Sequence, residues 1–108
     1  MCKAECLYLM EIPITYKFLK EIVRDWDIEY IKNNSKPNGE IDYERYRIII
    51  NIANQPIKEI GISLLHELLH VLYDNQHTYT TELQIETEAR HYYEKTDILD
   101  YIYIYAFL

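Results

Sequence analysis

The chain has 108 residues, 49% of them hydrophobic, and a formal charge of −7. That length carries one domain with a modest core, and the hydrophobic share excludes a disordered chain. The acidic balance disfavours nucleic acid, whose phosphates need a basic face, and the closing YIYIYAFL is too short for a membrane span and follows Asp97 and Asp100.

The opening MCKAECLYLMEI holds Lys3, Glu5 and Glu11 and lacks the apolar run of a secretion signal, which implies an intracellular, cytoplasmic protein. Cys2 and Cys6 have no second cysteine or histidine pair at finger spacing and read as free thiols. Residues 6–12 read as a short strand stopped by Pro13. Residues 14–26 read as an amphipathic helix, because Phe18, Leu19, Ile22, Val23 and Trp26 recur at helical spacing. Residues 28–32 suit a second strand, and NNSKPNG supplies turn-favouring residues. Residues 41–54 alternate apolar and polar, then become β-branched, which makes them the strongest strand candidate. The two strands around NNSKPNG would form a hairpin with a long loop. Pro56 suits the first turn of a helix reaching about Tyr73. After the polar connection DNQHTYT, Thr81 caps a helix over 82–95, with Gln84 at the capping-box position. Residues 96–108 read as a C-terminal element that completes the core, covers a cleft, or does both.

On the wheel of the 56–73 helix, Ile57, Ile60, Leu64, Leu68, Val71 and Leu72 share one arc. His66 and His70 lie opposite its middle, one turn apart on one face, with Glu67 between the two sets. Two such imidazoles can reach one metal ion at ~2.0–2.1 Å each. The glutamate projects beside the ion, where it can take a proton from a bound water. H-E-x-x-H on a helix therefore reads as two zinc ligands, His66 and His70, and a general base, Glu67. A lone helical histidine is usually a surface or structural residue; this pair, on a helix with a separate core face, is far rarer.

A catalytic zinc usually has three protein ligands and one open position. The H-x-x-G-x-x-H continuation is absent, since Tyr73 and Gln76 stand where it needs glycine and histidine. The third ligand therefore reads as a carboxylate of the next helix, which offers Glu82, Glu86, Glu88 and Glu94. Glu82, Glu86 and Glu88 all border the packing stripe of Ile85, Ala89, Tyr92 and Tyr93, so the wheel does not choose among them.

HELLH at 66–70 and ETEAR at 86–90 together resemble the gluzincin branch of the zinc metallopeptidases. In size, and in the strand pair before the helix, the chain is similar to the minigluzincins. The resemblance implies Glu88 as the third zinc ligand, because the ligand glutamate is often followed directly by alanine. It implies an α+β, zincin-like minimal core in a single domain: a small sheet of about three strands, an active-site helix and a following glutamate helix. It also implies a zinc-dependent endopeptidase that cleaves peptide or protein substrates through a zinc-bound water activated by Glu67, with residues 96–108 as a latency segment. Some larger gluzincins carry an aspartate four residues after the ligand glutamate; counted from Glu88 that position is Tyr92. His77, His91, Tyr92 and Tyr93 are the candidate oxyanion donors. Two other readings compete: a non-catalytic zinc-binding or regulatory domain, and a structural domain whose histidines bind nothing.

Overall fold

The computed structural model describes residues 15–53 and 55–100. The expected strand at 6–12, both cysteines and residues 101–108 of the expected latency segment lie outside them. Helix α1 (15–25) comes first, and its apolar face of Leu19, Ile22 and Val23 is buried, with Trp26 following it into the core. Strands β1 (Asp27–Ile31), β2 (Gly39–Asp42) and β3 (Arg47–Asn51) form one sheet in the order β1-β3-β2. Helices α2 (Ile57–Asn75) and α3 (Glu82–Lys95) follow. The small mixed sheet, the H-E-x-x-H helix and the acidic helix after it make an α+β, zincin-like core.

The hairpin lies elsewhere than the turn residues of NNSKPNG suggest. β1 and β2 do not pair. β1 runs parallel to β3, from Asp27↔Arg47 to Ile31↔Asn51, and β2 runs antiparallel to it, from Gly39↔Ile50 to Asp42↔Arg47. The stretch expected as one strand over 41–54 is broken at 43–46. There the Asp42 carboxylate accepts from the backbone N–H of Glu44 and Arg45 at 3.1 and 3.2 Å, which turns the chain. Tyr46 then takes a left-handed φ of 52°. Alternation hides this turn because Tyr43 and Tyr46 read as apolar strand positions. Their rings instead pack edge-on against Trp26, with centroids 5.7 and 5.3 Å away.

The NNSKPNG connection is tied down by the buried Asn51. Its Nδ2 donates to the carbonyls of Asn33 and Lys36 at 2.6 and 3.0 Å, and its Oδ1 accepts from the N–H of Asn33 and Ala53 at 3.2 and 3.0 Å. Both ends of the amide are therefore satisfied, as burial requires.

α2 packs against β2 and β3 on one side and α3 on another. Eight of its residues, from Gly61 to Leu72, are consequently buried. Ile57, expected on that arc, is the first residue of the helix and is 86% exposed. No helix among the described residues is long and apolar enough to cross a membrane. Gly61 lets α3 and the following turn approach: a Cβ there would lie 2.7 Å from Leu99 Cδ2 and 2.9 Å from Tyr93 Cε2. Gly61→Val is expected to cost about 1–3 kcal/mol by overpacking, read as a lower urea midpoint at unchanged m value.

Candidate metal centre

Burial of so broad an arc leaves α2 one polar stripe. Glu59, Ser63, His66, Glu67 and His70 lie on it and form the floor of a cleft of about 600 Å³. Glu82, Glu86 and Arg90, successive turns of α3, make one wall. The other wall comes from Asn38 and from Gly39, Ile41 and Tyr43, alternate residues running along β2 and just past it. Among the described residues, β2 is an edge strand of the sheet.

The two imidazoles converge. His66 Nε2 and His70 Nε2 are 3.2 Å apart. Two nitrogens bound at ~2.0–2.1 Å to one tetrahedral ion would be roughly 3.3 Å apart, so the spacing suits a shared cation. Without a proton or cation between them, two lone pairs would face each other at this distance. The Glu82 carboxylate spans both rings, with Oε1 2.8 Å from His70 Nε2 and Oε2 3.0 Å from His66 Nε2. Glu67 Oε1 is 3.9 Å from His66 Nε2, beside the convergence point rather than on it. One donor atom from each of His66, Glu67 and His70 falls within 4.8 Å of the others. The donor set, two imidazoles and a carboxylate, is one that zinc accepts. The arrangement is zincin-like and suited to hold a metal ion.

Local structure explains the placement. The Thr81 hydroxyl accepts from Gln84 N–H at 3.1 Å and so starts α3 at Glu82, at the cleft mouth. One turn on, Glu86 Oε2 accepts from His66 Nδ1–H at 2.8 Å. That bond fixes the tautomer and frees the Nε2 lone pair for a cation. Arg90 Nε donates to Glu86 Oε1 at 3.1 Å, and the same guanidinium forks onto both Glu59 oxygens at 3.0 and 3.1 Å. A line of charges, Glu86, Arg90 and Glu59, thus backs the His66 ring.

Of the four carboxylates open on sequence, Glu82 and Glu86 turn to the imidazoles. Glu88 is placed elsewhere: its Oε2 accepts from the Tyr73 hydroxyl at 2.6 Å. Glu94 pairs with Lys58 at 3.2 Å. At about 100° per residue, Glu82 and Glu86 stand at one border of the buried stripe and Glu88 at the other. Counted from Glu82, the fourth residue on is the acidic Glu86, which orients His66; counted from Glu88 it was Tyr92.

The expected oxyanion donors do not line the cleft. Tyr92 is buried and its hydroxyl donates to Thr15 Oγ1 at 3.3 Å; Tyr93 packs at Gly61. Tyr43 does line it, with its hydroxyl donating to Asp74. Burial, then Asp74 and the Glu67 charge, push its pKa well up, so it keeps its proton. Twelve tyrosines obscure this one in the sequence. The alternation of Gly39, Ile41 and Tyr43 was the available signal.

Burial also raises the pKa of Glu67, against the opposing pull of His66 and His70. Comparison with known proteins finds no matching family model, curated protein or solved structure, so the site is read from its own residues.

Glu86→Ala is expected to weaken zinc affinity 10–100-fold, measured by competition with a chelating dye. Glu82→Ala should weaken it further and Glu88→Ala should leave it unchanged. Between the ordinary carboxylate pKa and the raised value of Glu67, the folded chain keeps a proton that the unfolded chain releases. Stability therefore falls as pH rises through that window. Metal-free Glu67→Gln should melt above the metal-free parent at pH 7, with the difference vanishing in acid.

Proposed function

We propose that the chain is a zinc-dependent endopeptidase of the minigluzincin kind. The observation that carries this reading is the seat of Glu67. Its side chain is only 12% exposed, and its Oε1 stands back 3.9 Å from His66 Nε2, whereas the Glu82 oxygens lie 3.0 and 2.8 Å from the two imidazole nitrogens. A purely structural zinc site is closed by four ligands, whereas a catalytic one keeps a position open. A metal-binding or regulatory module would have no use for a buried carboxylate that lowers its stability.

His66, His70 and Glu82 would hold the ion, with Glu82 taking the place the resemblance gives to Glu88. When bound, zinc supplies Lewis-acid chemistry, bringing the pKa of water toward ~7 and polarising the scissile carbonyl. Glu67 takes the proton of the attacking water and returns it to the leaving amine. Glu86, backed by Arg90 and Glu59, keeps the His66 ring in its tautomer. Tyr43 lines the sheet side of the cleft and would turn its single O–H from Asp74 to the developing oxyanion. An extended peptide fits as an added strand on the edge of β2 that no described strand pairs with.

Glu67→Gln should retain one equivalent of zinc and lose turnover of casein or a peptide library by about 10²–10⁴-fold. Undiminished cleavage would remove Glu67 as the base. Latency belongs to the same proposal: deleting residues 101–108 is expected to raise turnover with zinc still bound, and negligible, unchanged turnover would count against it.

A further inference from the structure

We propose that Gly39 is a positioning residue for the general base, its bare backbone seating the Glu67 carboxylate beside the metal-binding cluster. This deepens the peptidase reading and rests on it. A Cβ at Gly39 would stand 3.0 Å from Glu67 Cγ, 3.2 Å from Cδ and 3.5 Å from Oε1. Among the described residues no glycine has a positive φ, so space and not backbone freedom is what the position needs.

What yields to an added methyl decides the outcome. Gly39 pairs with Ile50 in the β2–β3 ladder, and the carbonyl of Asn38 accepts from Asn51 N–H at 2.9 Å. Asn51 is buried and anchors the preceding connection through both ends of its amide. The strand is therefore held. Glu67 springs from the middle of α2, flanked by buried Leu64, Leu65 and Leu68, so its backbone is held too. The side chain of Glu67 is what can move, and the space open to it is the cleft that holds His66 Nε2 and Tyr43. A displacement near 1 Å is enough to cost about 100-fold in rate when a reacting group must be aligned. The same change does not harm the fold, because alanine at a compatible φ restricts the unfolded chain.

The test uses the full chain with one equivalent of zinc and compares Gly39→Ala with the parent, alone and in a Glu67→Asp background, where the shorter side chain withdraws from the methyl. Expected are a kcat lower by about 10–100-fold at unchanged KM and zinc affinity, a melting temperature no lower than the parent's, and a smaller penalty in the Glu67→Asp background. The carboxyl carbon resonance of Glu67, assigned by its loss in Glu67→Gln, should shift in Gly39→Ala while those of Glu82 and Glu86 hold. An unmoved kcat and resonance, an equal penalty in both backgrounds, or a loss that tracks zinc release or melting would overturn the inference. A parent without turnover fails the peptidase reading instead, and the resonance still decides whether Gly39 seats the carboxylate.

Discussion

Everything at the site depends on two imidazole nitrogens held 3.2 Å apart. With both Nε2 lone pairs turned inward the rings oppose each other, with both rings protonated they repel, and only a shared proton or cation joins them. The chain sustains the approach because α2 cannot turn away. Leu64, Leu65, Leu68, Leu69, Val71 and Leu72 are all buried, so rotating the helix to separate the rings would expose core. Glu86 then restrains one ring at Nδ1, and Glu82 bridges both at Nε2. The site is thus organised by packing before any ion arrives.

That organisation concentrates negative charge. Glu59, Glu67, Glu82 and Glu86 line one cleft, and among the described residues that line it Arg90 is the only Lys or Arg. Arg90 is already engaged by Glu59 and Glu86. A divalent cation between the rings would offset the excess where it is densest, so ion binding and fold stability are coupled here. The burial that pushes up the pKa of Glu67 belongs to the same trade. A carboxylate whose proton affinity is raised by burial is one the folded chain holds at some cost in stability.

The helices were legible in the sequence because each has a clear period and a readable start: Pro56 before α2, and Thr81 with its bond to Gln84 before α3. His66, Glu67 and His70 were legible because an i, i+4 pair on a known helix fixes a common direction. The strand pairing was not. Turn chemistry in NNSKPNG pointed to a hairpin, but the chain turns at Asp42 through a side-chain bond that periodicity cannot register, and β1 pairs in parallel with the more distant β3. The acidic partner of the histidines was legible only as a set. Glu82, Glu86 and Glu88 all border the α3 stripe, and the border facing the cleft is decided by how α3 docks on α2, a tertiary fact.

The docking has one further consequence. Contacts between the two helices run in opposite directions along the chain: Glu82 meets His70, Glu86 meets His66, Arg90 meets Glu59 and Glu94 meets Lys58. α2 and α3 therefore lie antiparallel, each presenting polar groups one turn apart. A single register fixes the bridging carboxylate, the orienting carboxylate and the arginine behind it together. Sliding α3 by one residue, a 1.5 Å step with about 100° of rotation, would lose all of them at once. The close approach at Gly61, where Tyr93 and Leu99 fill the space a side chain would take, holds the far end of that register. A glycine that looks like a defect in a helix thus sets the geometry of a site more than a turn away.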